Sequence, residues 1–259
     1  MTVRVAAIQL ALGKGSYNKA VENAAGLIHR AKSEGAQIVC LPEHWLLEYR
    51  ELGYNAVQEL TPVAQSNRVY LITGANYTQA VSNGSKTLRI RSVLLGPDGQ
   101  MLGKQDKVHL FREEKNAASP GEGYQVFPTP LGNIGISVCY DNAFPEAART
   151  LSLNGADLLF VPSRIIANGL DPWILYLRTR SLENRIPVIA PNVFHPPRYA
   201  GGSIIIDPKL DDASGVVTPE IVASATTGET AVIADVNVDM LRTLRRERLN
   251  ERQPEAYKL

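Results

Sequence analysis

Cys139 closes an apolar run, Ile134 to Cys139, that stops at a polar turn before a helical pattern begins at Pro145. Glycines at positions 132 and 135 permit close backbone approach there. A cysteine in such a strand-to-helix elbow holds its sulfur beside backbone N–H groups, the arrangement of a nucleophile next to an oxyanion site. A free thiol has a pKa of about 8.5, so only a few per cent is thiolate at neutral pH, and a nearby base and cation are needed. Two charged residues could supply them. Glu43 stands just past an apolar strand, at the carboxyl end where α/β proteins place their sites. Lys107 lies between a turn and the apolar residues Leu110 and Phe111. Read alone, Glu43 is more simply a solvated strand-end acid and Lys107 an ordinary surface lysine. His109 stays open as a base, because Cys–His pairs are common. Cys40, inside an apolar strand, reads as a small core residue.

Other motifs fail on chemistry. Gly103-Lys104 resembles the end of a phosphate-binding loop, but Asp98 stands where that loop needs glycine and Gln105 where it needs Ser or Thr. G-x-S-x-G and H-E-x-x-H do not occur, and His44 and His109 lack metal-like partners at short spacing. Arg242, Arg245, Arg246 and Arg248 read as the solvated face of a last helix.

The elements that must carry these residues follow from periodicity. Val3 to Leu10 reads as a strand, Tyr17 to Glu34 as an amphipathic helix and Gln37 to Leu41 as a buried strand, together a βαβ unit. Asn55 to Asn67 reads as a helix, with strands at Val69 to Asn76 and Leu88 to Leu95 around the turn Gly96-Pro97-Asp98-Gly99. Then come a strand at Ile134 to Cys139, a helix at Pro145 to Asn154, a strand at Leu158 to Pro162 and a helix at Pro172 to Asn184 opened by proline. Strands follow at Val188 to Asn192, Gly202 to Asp207 and Thr230 to Val236, and a helix at Val238 to Glu247. Gly35 to Glu43 (GAQIVCLPE) and Gly155 to Ser163 (GADLLFVPS) echo each other, which implies an internal repeat. The expectation is a layered α/β protein with mixed sheets.

Composition narrows the function classes. The chain has 259 residues, 44% of them hydrophobic and 20% charged, which suits one globular domain spanning residues 1–259. With 27 basic and 26 acidic residues the net charge is +1, so no electrostatic footprint for nucleic acid or an anionic membrane exists. No window reaches the roughly 18 consecutive apolar residues of a membrane span. Neither does the N-terminus read as a signal peptide, so a cytoplasmic location is expected. Two cysteines and four histidines give neither a disulfide framework nor zinc spacing.

Taken in order, Leu41-Pro42-Glu43, then Gly103-Lys104 with Lys107 and His109-Leu110-Phe111, then Cys139-Tyr140-Asp141 with Phe144-Pro145-Glu146, resemble the carbon–nitrogen hydrolase (nitrilase) superfamily. The resemblance runs nearly end to end, through Ser119-Pro120-Gly121, Thr129-Pro130-Leu131-Gly132, Gly202 to Pro208 and a tail with Arg252, Pro254 and Tyr257. It implies a four-layer αββα sandwich with an internal pseudo-two-fold repeat. It also implies a Glu43–Lys107–Cys139 triad, a supporting Glu114, and no metal or organic cofactor. The Tyr140 backbone N–H would join Lys107 at the oxyanion, and Arg164 falls in the superfamily's substrate-determining loop, where it could bind a carboxylate. Tyr140-Asp141 resembles the amidase and carbamoylase branches; nitrilases there tend to carry Trp-Glu. The expected substrate is a small linear amide, either an ω-amide or an N-carbamoyl compound, hydrolysed with release of ammonia. A nitrile hydrolase on the same triad and a non-catalytic scaffold dimer are the alternatives. A homodimer or larger even-numbered oligomer is expected, with residues 241–259 as an arm over the partner.

Overall fold

The computed structural model describes all residues except 13–14, 53–54, 83–84, 226 and 258–259. The first half runs β1 (Thr2–Ala11), α1 (Tyr17–Ser33), β2 (Ile38–Cys40), α2 (Ala56–Asn67), β3 (Tyr70–Ser82), β4 (Ser85–Leu95), β5 (Met101–Asp106) and a one-turn α3 (Glu114–Ala117). There follow β6 (Val126–Phe127), β7 (Ile134–Ile136), α4 (Pro145–Leu153), β8 (Leu158–Phe160), α5 (Leu170–Asn184) and β9 (Val188–Ala190). The chain ends with β10 (Val193–His195), β11 (Tyr199–Ala200), β12 (Ile204–Asp211), β13 (Val216–Ser224), β14 (Thr230–Asn237) and α6 (Val238–Asn250).

Among the described residues the strands form two mixed sheets. In the first, β1, β2 and β3 are parallel, β4 and β5 continue antiparallel, and β14 runs antiparallel along β1. In the second, β7, β8 and β9 are parallel, followed by antiparallel β12 and β13. Helices α1 and α2 join the three parallel strands of one sheet as α4 and α5 do in the other, so the repeat expected from the Gly-Ala echo is present in the topology.

Side-chain alternation along the strands builds the layers. Val5, Ala7, Ile38 and Cys40 face Ile134, Ile136, Leu158 and Phe160 across the space between the sheets. The alternate residues Ala6, Ile8, Val39 and Leu41 pack outward on Ala24, Ile28, Leu60 and Ala64 of α1 and α2. Leu159, Val161 and Val188 pack on Leu151, Trp173 and Leu177 of α4 and α5. The result is an αββα sandwich. Parallel strands covered on both faces read as continuous apolar runs, which is why both Gly-Ala segments are so hydrophobic.

Several expectations need correction. Strand β13 escapes the periodicity because Pro219 interrupts it; it lies at a sheet edge, where a missing N–H breaks no ladder. The helix expected to open at Pro172 begins at Leu170, with proline inside its first turn. The strand expected to reach Cys139 ends at Ile136, and Cys139 opens a 3₁₀ turn, Cys139–Ala143. Of the arginines expected on a solvated face, Arg242, Arg246 and Arg248 are exposed but Arg245 is buried; it donates to the buried Asp157, as the exposed Arg242 also does, tying α6 to the start of β8.

Candidate active site

The carboxyl ends of β2, β7 and β8 converge, and their backbones are tied together. The Glu43 N–H donates to the Ser163 carbonyl at 3.2 Å and the Cys139 N–H to the Pro162 carbonyl at 3.0 Å. The ends of the two echoing segments therefore meet at the site. Glu43 is also fixed from the side of β3, where a bulge lets Ala75 bridge Glu43 and accept the His44 N–H at 2.7 Å. Gly74 makes this possible. Its φ is +72°, and a Cβ there would meet the Pro42 oxygen at 2.1 Å. Lys107 follows β5 directly, and its carbonyl accepts the Gly121 N–H at 2.7 Å. A Cβ at Gly121 would lie 2.5 Å from the Asp106 oxygen, so only glycine passes.

These supports bring the sequence-derived candidates together. Lys107 Nζ lies 2.7 Å from Glu43 Oε1 and 2.8 Å from Glu114 Oε2. Of the adjacent pair Glu113 and Glu114, it is Glu114 that reaches Lys107, and Glu114 also accepts the Phe111 N–H at 2.7 Å. Glu43 is 2% exposed, Lys107 1% and Cys139 9%, so all three groups are nearly withdrawn from solvent. The Cys139 thiol hydrogen-bonds with Glu43, faces the Lys107 charge and receives the Arg164 backbone N–H. Cys139 has a φ of +45°, a conformation that costs a β-carbon residue on the order of 1–3 kcal/mol and persists only where surroundings enforce it. The neighbouring Tyr140 N–H makes no hydrogen bond among the described residues, since the turn's bonds run from Asp141 to Val138 and from Phe144 to Asp141.

The charges divide unevenly. Burial pushes the Cys139 thiol well above its ordinary pKa, and Glu43 adds to this, outweighing Lys107 and the Arg164 N–H; the resting group is a thiol. Burial opposes the Lys107 charge, yet Glu43, Cys139 and Glu114 together hold its pKa above the usual lysine value. Burial opposes the Glu114 charge too, but the His44 hydrogen bond and the Lys107 ammonium bring its pKa down to about 2. The site is thus a neutral thiol beside a carboxylate that can take its proton and an ammonium that cannot lose one. Glu43, His44 and Glu114 also bring three ligand-type atoms within 4.8 Å of one another. The Lys107 ammonium is seated between the two carboxylates, so a lysine cation already supplies the positive charge.

A profile of the carbon–nitrogen hydrolase family matches residues 4–246. The chain belongs to this family. As a carbon–nitrogen hydrolase it is 31% identical to the omega-amidase NIT2 of Bos taurus over 267 residues, covering 95% of this chain and 92% of that one. It is 32% identical to a protein of Pyrococcus abyssi named nitrilase, with 96% and 95% covered. Among solved structures, Saccharomyces cerevisiae Nit3 superposes with a TM-score of 0.80 at 25% identity, over 98% of this chain and 96% of that one. The chain is an enzyme that hydrolyses carbon–nitrogen bonds.

Sequence reasoning missed His44 and Asp141. His44 donates toward Glu114 across 3.3 Å and stacks on Tyr77. Asp141 lies fully buried behind the elbow. A polar residue adjoining each of two candidate site residues was the available signal. Arg164 sits with its guanidinium 4.8 Å from the Tyr199 ring centroid and 4.0 Å from Glu48, and its Nε is buried without a partner.

Proposed function

We propose that the enzyme hydrolyses a small linear amide through a thioester on Cys139. Glu43 takes the thiol proton as Sγ attacks the carbonyl carbon, and the oxyanion is held by the Lys107 ammonium and the Tyr140 N–H. Glu43 passes its proton to the leaving nitrogen, and ammonia departs. It then takes a proton from water, whose oxygen attacks the thioester; the acid leaves and the proton returns to the thiol. Glu114 keeps Lys107 charged and oriented. No step calls for a metal or organic cofactor. The observation that carries the reading is Lys107 Nζ lodged between Glu43 and Glu114 while the Cys139 thiol faces Glu43.

Arg164 binds a substrate carboxylate in this reading: its backbone N–H lies at the Cys139 thiol and its buried Nε has no partner among the described residues. The test is a panel of neutral amides, ω-amides of dicarboxylates, N-carbamoyl compounds and nitriles, read by ammonia release. Release from amides, strongest for those with a distal carboxylate, is expected. Turnover of nitriles without amides, or no turnover at all, overturns the reading.

Residues 1–259 act in this proposal as one catalytic domain in the cytoplasm, where a reducing milieu suits the free thiols Cys40 and Cys139. No described helix is long and apolar enough to cross a membrane. The enzyme assembles as a homodimer through α4 and α5, which expose Leu153, Leu175, Tyr176 and Leu182. In the 241–259 arm Leu241 is buried within its own chain, but Tyr257 stays exposed beside a cleft of about 670 Å³. Removing residues 248–259 is expected to shift light scattering toward monomer and to lower activity. A native monomer at micromolar concentration with full activity refutes the dimer.

A further inference from the structure

Cys139, His109 and Asp141 have the residue types of a different catalytic triad, yet the geometry gives them another role. In a Cys–His–Asp triad the imidazole stands between carboxylate and thiol. Here the groups acting on the Cys139 thiol are Glu43, Lys107 and the Arg164 N–H. The His109 ring instead lies flat on Phe144, centroids 3.8 Å apart, with Nδ1 2.9 Å from Asp141 Oδ1.

Asp141 is fully buried, and it collects hydrogen bonds from both sides of the site. From the elbow, Val138 N–H donates to Oδ2 at 3.0 Å. From the loop that carries Lys107, the His109 N–H donates to Oδ1 at 2.8 Å, alongside His109 Nδ1. The Tyr124 hydroxyl, 3.1 Å from Nδ1, also hydrogen-bonds Asp141. The other bonds that hold the elbow, from Cys139 N–H to Pro162 and from Asn142 Nδ2 to Ser137 and the Cys139 carbonyl, do not reach the Lys107 loop. Asp141 does reach it. A carboxylate with only acceptor sites suits such a place, since every neighbour there is a donor.

We propose that Asp141 is a positioning residue: its buried carboxylate fixes the spacing between the Cys139 nucleophile and the Lys107 ammonium by clamping the Val138 and His109 backbones together. The clamp also enforces the positive φ of Cys139. Displacing reacting groups by as little as one ångström can cost about a hundred-fold in rate. The inference rests on the Glu43–Lys107–Cys139 reading.

The test compares Asp141→Asn, His109→Ala and Tyr124→Phe by kcat, KM, thermal midpoint and the rate of Cys139 alkylation by iodoacetamide. In Asp141→Asn the new NH2 must face an N–H donor, so kcat is expected to fall about a hundred-fold. KM stays within about three-fold, and alkylation slows in step with kcat. His109→Ala keeps the backbone N–H on Asp141 and loses less than about ten-fold; Tyr124→Phe loses less still. If Asp141→Asn does not fold, a His109→Ala/Tyr124→Phe double variant, which strips two of the donors, must lower kcat and alkylation together at constant KM. Asp141→Asn with native kcat overturns the proposal. So does a His109→Ala loss as large as that of Asp141→Asn, which marks a true Cys–His pair. A loss confined to the thermal midpoint, with full kcat per titratable thiol, overturns it too. Glu43→Gln with native turnover instead sinks the underlying triad, whatever Asp141 does.

Discussion

Turnover is expected to vanish in Cys139→Ala and to stay within a few-fold of native in Cys40→Ala. Both thiols are pushed above their ordinary pKa by burial, so protonation alone does not separate them. Surroundings do. Cys40 is sealed in the core between the sheets, its sulfur directed at the Leu41 carbonyl, with neither base nor cation acting on it. Cys139 has Glu43 to take its proton, Lys107 to hold the charge that develops, and the Arg164 N–H beside the sulfur. Losing the nucleophile removes the covalent route, a loss of about five orders of magnitude or more. Initial rates measured as ammonia release check this, and iodoacetamide followed by digestion and mass spectrometry is expected to label Cys139 far ahead of Cys40. Equal losses in the two alanine variants refute the assignment of the nucleophile.

The parts of this site that sequence made legible are those with local signatures. Glu43 and Cys139 each close a strongly apolar run, and Gly35-Ala36 and Gly155-Ala156 announce matching strands. The structure brings these strand ends into contact through the Glu43 N–H and the Ser163 carbonyl. Pairings across long separations left no such mark. Asp157 and Arg245 are 88 residues apart, and nothing in an Arg-rich last helix distinguishes the buried Arg245 from the exposed Arg246 until the helix is docked. Asp141 is similar: its four donors come from Val138, His109 and Tyr124, and only the folded chain assembles them. Edge strands were hidden for another reason. β5 carries Gly103, Lys104 and Gln105 and β13 carries Pro219, residues that an edge tolerates and a central strand does not.

The second large effect concerns the charges around the thiol. Glu43→Gln keeps the shape of the side chain and an oxygen for Lys107, but it cannot take the thiol proton or pass it to the leaving group. Its kcat is expected to fall by at least as much as that of Lys107→Met, with little change in thermal midpoint. Lys107→Met removes the oxyanion's cation and is expected to lower kcat by about two to three decades. It also leaves Glu43 and Glu114 facing each other without the ammonium between them, so its midpoint should drop. Adding Glu114→Gln to Lys107→Met relieves that repulsion and restores stability without restoring turnover. The same geometry sets the acid limit. The Glu114 carboxyl is held at about 2 against an ordinary 4.5, so it contributes stability in full above pH 4.5 and loses it as the pH falls toward 2. Urea unfolding between pH 2.5 and 5 should therefore show a shallower acid slope in Glu114→Gln than in the native chain. A Glu43→Gln enzyme that keeps most of its rate while His109→Ala loses it replaces the carboxylate base with a histidine and removes the basis of this ordering.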